Sequence, residues 1–272
     1  MNFPHIELDN VIIKVIGIGN TAGYVVNNMQ TSSVKDVDFF SIDATQPINQ
    51  KIDGTHLLFQ VADTSDPESM ENCLSIAKRA RDQNILTVAI ITTGFSTDKL
   101  TELGKYTDSL IIISEKTRSQ ENALILDIVR GISDLITQQG LIGFDLADAK
   151  SVLGDAGRSI VGVGTAAGVN RAQEATEKAL HCFNSIDLRF TNGLLVNISG
   201  TDMEIVEIDK ILSSIHNLVS KNSIIKVGTT LDRKLVDTIK VIIIATGLND
   251  DYRYLMEATA VNNNFKKRSI NE

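Results

Sequence analysis

The stretch "IKVIGIGNTAGYVVNNM", Ile13 to Met29, sets Gly17, Gly19 and Gly23 between an apolar run and a helical one. Glycine there lets the backbone turn tightly and approach a ligand closely. A helix start beyond it offers unpaired N–H groups and the positive end of a dipole, so the implied chemistry is retention of an anion such as a nucleotide phosphate. The spacing is G-x-G-x-x-x-G, not the G-x-G-x-x-G of dinucleotide sites, and Asn20, Thr21 and Ala22 carry side chains where phosphate loops often have glycine. A tight turn that merely packs a helix onto a sheet accounts for the same residues. Asp43, placed 20 residues after Gly23, has a tolerable spacing for the ribose acid of an NAD-type site, but that reading leaves the second half of the chain without a role.

The elements that must hold this loop are legible as alternating runs. "VIIKVIG", "FFSID", "HLLFQVAD", "ILTVAIITT" and "SLIIIS" read as strands, separated by helical segments such as "SMENCLSIAKRARDQN". Such alternation implies a parallel sheet with helices on both faces. A long helix follows over 120–139, with Leu124, Ile128, Ile132, Leu135 and Ile136 as its apolar stripe and Gly140 as its C-terminal cap. Beyond it "IVGVGTA", "LLVNISG", "IIKVGTTL" and "TIKVIIIATG" read as strands, with helices at "RAQEATEKALHC" and "VEIDKILSSIHNLVS". The expectation is an α/β chain in which 1–119 forms a Rossmann-like parallel-sheet domain, 120–139 a central helix, 140–250 a separate α+β layer and 251–272 a polar tail with "NNNFKKRSINE" disordered at its end.

Composition narrows the class. The 272 residues are 43% hydrophobic with only 5% aromatic and no Trp, which implies a core of Ile, Val, Leu and Ala. The net charge of −8 offers no basic stripe to a polyanion, so nucleic acid is not an expected partner. Cys73 and Cys182 are the only cysteines and are expected to fill apolar space in a reducing compartment, and the four histidines form no cluster, so no metal site is expected. The N-terminus "MNFPHIELDN" has no leader-like pattern and no apolar run approaches the ~20 residues that span a bilayer, so a cytoplasmic protein without direct membrane insertion is expected.

Taken in order, these segments resemble FtsZ, the tubulin relative that polymerises with GTP. "IKVIGIG…VVNNM" resembles its first phosphate-contacting loop, "GISDLIT" the end of its central helix and "GFDLADAKSVL" the loop that follows. "GVGTAAGVNRAQEA", "GLLVNISG" and "VIIIATG" resemble its C-terminal domain. The resemblance implies an FtsZ/tubulin-like fold with a GTPase-type domain, a central helix and a smaller C-terminal domain. It also implies a phosphate loop of Gly17, Gly19, Gly23 and Asn27, and the acids Asp145 and Asp148, which in that family complete a neighbour's GTPase site. As an alternative, Asp145 and Asp148 cap the next helix.

The departures fall on the nucleotide side. The family's GGGTGTG signature loop is absent, and "HLLFQVAD" leads into "TSDPESMEN", which has no glycine. Asp63, Asp66, Glu68 and Glu71 lie there instead, and one like-charge pair near ~4 Å costs about 4 kcal/mol at an effective dielectric of about 20. Ser65 and Glu68 have capping-box spacing with Pro67 in the first turn, so Thr64 to Met70 is expected to form a self-capped helix start. Two further segments of the family are missing, after "FFSIDATQPI" and after "ITTGF". Ala123 stands where the family has its guanine-reading Asp, beside the surviving Asn122. The resulting expectation is a degenerate FtsZ-type GTPase without a cofactor, not an enzyme, that partners itself, an authentic FtsZ or another division protein. Its alternatives are a reduced GTPase that binds GTP or GDP and polymerises, and an NAD-type dinucleotide-binding protein.

Overall fold

The computed structural model describes residues 11–29, 36–42, 52–63, 67–92, 97–113, 117–184 and 186–248. The expectations for Asp43, for Ser65 as a helix cap and for the polar end lie outside those residues. The first half runs β1 (Ile13–Ile18), α1 (Asn20–Met29), β2 (Val37–Ile42), β3 (Leu57–Asp63), α2 (Pro67–Asp82), β4 (Leu86–Thr92), α3 (Thr97–Gly104) and β5 (Ser109–Ile113). The second runs α4 (Arg118–Thr137), α5 (Leu146–Leu153), β6 (Gly157–Ala167), α6 (Arg171–His181), β7 (Gly193–Gly200), α7 (Ile205–His216), β8 (Ile224–Leu231) and β9 (Thr238–Leu248). No described helix is long and apolar enough to cross a membrane.

Among the described residues one nine-stranded sheet carries the fold, in the order β2-β1-β3-β4-β5-β6-β9-β7-β8. All pairs are parallel except those of β9, which runs antiparallel to both β6 and β7. The central strands are apolar on both faces because helices cover both, as in β4, where every residue is buried. On one face α1, α4 and α5 enclose a core that spans both halves, including Val26, Ile128, Ile132, Leu195 and Ile244. On the other, α2 and α3 cover the first half and α6 and α7 the second.

Three expectations need correction. The second half does not form a separate layer: β6 pairs with β5 through Ser109, Leu110 and Ile111, and Gly157 N donates to Asp108 O at 2.9 Å. A buried hydrogen bond between the Ser109 and Ser159 hydroxyls, 2.7 Å, reinforces that narrow joint. Nor does Gly140 cap the long helix, which begins two residues earlier than expected and ends at Thr137 with Gln138 as its C-cap. Gly140 is needed for a different reason, since a Cβ there would overlap the backbone of Thr229 on β8. The cysteines also divide: Cys73 is buried, whereas Cys182 follows α6 and is exposed.

Candidate functional site

The chain leaves β1 toward one side of the sheet, to β2, and later returns to its other side, to β3. That reversal makes the carboxyl ends of β1 and β3 the topological switch point, where open α/β sheets bind ligands. Gly17, Gly19 and Gly23 are there, so the structure places the glycine loop where a ligand site belongs. Each glycine also has a packing reason. A Cβ on Gly17 would stand 2.6 Å from Ala22 O, and one on Gly23 would stand 3.2 Å from Ser41 Cβ, so both let α1 lie close on β1 and β2. Gly19 has φ +85°, a backbone conformation open to glycine at little cost.

Two amides of the loop are engaged. Gly19 N donates to Ile42 O at 3.0 Å, and Gly23 N donates to Gly19 O at 2.8 Å as α1 begins. The other helix start at the switch point, that of α2, closes against the same loop. A Cβ on Gly19 would overlap the hydroxyl of Ser69, which is buried in the first turn of α2, and Glu68 beside it is that turn's acidic residue. A carboxylate there suits the positive dipole end and opposes a second anion. Asn27 is exposed two turns into α1, ~10 Å along the axis from Asn20, and is not brought against the glycines.

Asp145 and Asp148 lie beyond the other end of α4, a 20-residue helix that spans ~30 Å. They are therefore not brought together with the glycine loop within one chain. Asp145 is the N-cap of α5: its carboxylate accepts from Asp148 N at 2.8 Å, while Asp145 N donates to Asp148 Oδ2 at 3.3 Å. This is a reciprocal capping box. Asp148 also pairs with Lys226 of β8, Nζ to Oδ1 2.7 Å, and that hydrogen bond holds its carboxyl below the usual carboxylate range despite partial burial. The loop itself is fastened to β8, with Thr229 N donating to Ile142 O at 3.2 Å and Ile142 N to Thr229 Oγ1 at 2.9 Å. Gly143 is exposed with open space around it.

Ser69, Lys226 and Thr229 are the residues that sequence reasoning missed. Lys226 lies 78 positions from Asp148, and nothing local marks the pairing. Among the described residues no group of three His, Cys, Asp or Glu side chains is placed to hold a metal ion.

Comparison with known proteins accords with this architecture. The family model described as "FtsZ family, C-terminal domain" matches residues 157–249, which begin at β6. The cell division protein FtsZ of Buchnera aphidicola subsp. Baizongia pistaciae (strain Bp) is 31% identical over 314 positions, covering 90% of this chain and 82% of the relative. That of Wigglesworthia glossinidia brevipalpis is 28% identical over 319 positions, covering 92% and 83%. Both alignments are longer than the 272 residues of this chain, so the relatives hold segments that it lacks. Among solved structures, an empty FtsZ dimer of M. jannaschii superposes with TM-score 0.80 at 19% identity, over 89% of this chain and 90% of that one. CetZ from Methanosaeta thermophila strain DSM 6194 superposes with TM-score 0.66 at 10% identity, over 96% and 94%. At those identities the likeness concerns the fold alone.

Proposed function

Because the chain belongs to the FtsZ family of the tubulin superfamily, we propose that it is a division or cytoskeletal protein that has lost GTP binding and acts in the cytoplasm as a structural or regulatory filament partner. Its contacts would be with its own copies, an authentic FtsZ or another division protein. The observation that carries this reading is the closed glycine loop, with the Gly19 amide bonded to Ile42 and the first turn of α2 pressed onto Gly19 at Ser69. A phosphate would have to break that amide bond, move α2 and tolerate Glu68, and no glycine between β3 and α2 offers a replacement cradle. Without bound GTP there is no GTPase activity.

The retained loop after α4 then supplies the filament role. A subunit with Asp145 exposed and Asp148 partly exposed at one end, and no nucleotide at the other, would dock on the nucleotide face of a genuine FtsZ and end the filament there. Head-to-tail contacts propagate only if both faces work. The reduced-GTPase reading keeps one supporting observation, the position of Gly17, Gly19 and Gly23 at the switch point. Thermal unfolding with nucleotide separates the two. A ligand at about 100 times its Kd adds about 2.7 kcal/mol, roughly 5–11 °C in Tm for a chain of this size. Millimolar GTP, GDP or NAD is expected to leave Tm unchanged. A shift of several degrees with GTP or GDP would establish the GTPase reading, and one with NAD alone the dinucleotide reading.

A further inference from the structure

Three loops meet at one end of the second half: residues 168–170 after β6, 201–204 before α7 and 232–237 between β8 and β9. Gly168 N donates to Asp237 O at 3.1 Å. The Arg171 side chain, only 7% exposed, spends all five of its N–H donors on bracing the others. Nε donates to Glu207 Oε1 at 2.8 Å, one terminal nitrogen to Glu207 Oε2 at 3.0 Å and Asp202 O at 2.9 Å, and the other to Asp202 Oδ1 at 2.9 Å and Asp237 Oδ1 at 3.4 Å.

On this braced end four aliphatic side chains face outward: Val169 at 101% exposure, Ile205 at 79%, Val236 at 72% and Val206 at 61%. A single exposed aliphatic needs no account, but four gathered on one cross-linked framework form a contact surface fixed in advance of any partner. Its charge narrows what could cover it. Residues 168–171, 201–207 and 232–237 hold five carboxylates against three bases, so the surface is net negative. A second copy presenting the same face would meet like charge, and the complementary occupant is apolar and cationic.

We infer that this surface is the docking site of the chain's own C-terminal segment "VNNNFKKR", Val261 to Arg268. Lys266, Lys267 and Arg268 beside Phe265 supply the required charge and apolar group. Reach selects this segment over the nearer apolar one. β9 begins at the braced end, at Thr238, and finishes at Leu248, ten steps of ~3.4 Å or ~34 Å away. "YRYLM", Tyr252 to Met256, follows Leu248 too closely to return, since eight residues span at most ~29 Å. Phe265, 17 residues beyond Leu248, has up to ~60 Å. The inference does not depend on whether GTP binds.

A photo-crosslinking amino acid placed at Phe265 in the full chain tests it. Crosslinks are expected within one chain, to residues 168–170, 203–206 and 236–237. Their yield should fall about tenfold, the effect of ~1.4 kcal/mol, in Val169→Lys with Val236→Lys and in Lys266→Glu with Lys267→Glu and Arg268→Glu. Unchanged Tm in both variants would show that the fold is intact. Concentrated salt should also lower the yield, because at 1 M the screening length is about 3 Å. Crosslinks to other surfaces, crosslinks between chains, no crosslinks, or a yield indifferent to both variants would each overturn the inference.

Discussion

Arg171→Met removes a guanidinium while keeping most of its aliphatic volume, and leaves Glu207, 16% exposed, next to Asp202 and Asp237 without the cation that pairs with all three. Breaking a fully buried pair costs 3–5 kcal/mol, and an exposed one 0–1. Arg171 and Glu207 are buried but the two aspartates are 57% and 69% exposed, so the expected cost lies between those limits, about 3 kcal/mol. In Tm that is roughly 6–12 °C. The loss should also depend on pH. The hydrogen bonds from Arg171 hold the Glu207 carboxyl below its ordinary range. A depressed folded-state pKa contributes stability above the unfolded value and loses it as pH falls through the folded one. The deficit of Arg171→Met is therefore full at neutral pH and narrows below about pH 4. Urea unfolding at both pH values, with and without Glu207→Gln, measures it. A loss below ~1 kcal/mol, an equal loss at both pH values, or the same loss in the Glu207→Gln background would refute the reasoning.

Gln60 is fully buried on β3, where its Oε1 accepts from Cys73 Sγ at 3.3 Å but its Nε2 has no partner, so Gln60→Met is expected to raise the urea midpoint by about 1 kcal/mol equivalent. Burial pushes the Cys73 thiol up to about 12, whereas Cys182 is exposed, so a thiol reagent at mildly alkaline pH should titrate one cysteine in the native protein and both in urea. Asp145→Ala removes the N-cap of α5 and should cost about 1 kcal/mol in thermal or urea unfolding, since Asp148 N loses its side-chain acceptor while the backbone bond from residue 145 to Asp148 Oδ2 stays. Adding Lys226→Met should cost less than ~1 kcal/mol more, because its ion pair with Asp148 is partly exposed.

The central strands were legible because they are continuous apolar runs buried on both faces, as "LTVAIIT" in β4 shows. The start of α4 was legible too, in a signal left unread: Thr117 Oγ1 accepts from Gln120 N, the first bond of a T-x-x-Q cap. What failed depended on distant partners. The glycine at 140 looks like a helix stop until Thr229, 89 positions on, is seen to occupy the space of its Cβ. The three-residue joint between β5 and β6 has no signature, because its residues would serve equally in an edge strand. At the candidate site the glycines and the capping role of Asp145 were readable locally, whereas the Ser69 contact with Gly19 and the pairing of Lys226 with Asp148 exist only in the fold.

The two ends of the molecule share one property that bears on assembly. At the switch point the Gly19 amide is committed to Ile42, and the first turn of α2 packs against Gly19 at Ser69. Beyond α4 the two acids are committed as well, Asp145 to the cap and Asp148 to Lys226. A contact built on either end therefore gains little from new charge pairing, and breaking an internal bond to make an external one exchanges like for like. What remains to drive such a contact is exposed apolar surface, of which Leu141, 65% exposed in the loop after α4, is the example at that end. On the proposed function, assembly through this end should then be weakened by Leu141→Asp more than by Asp148→Asn, and should change little with nucleotide. Sedimentation of the protein alone and with an authentic FtsZ measures this. If Asp148→Asn abolishes co-sedimentation while Leu141→Asp leaves it intact, the contact is electrostatic and this account of the filament end is wrong.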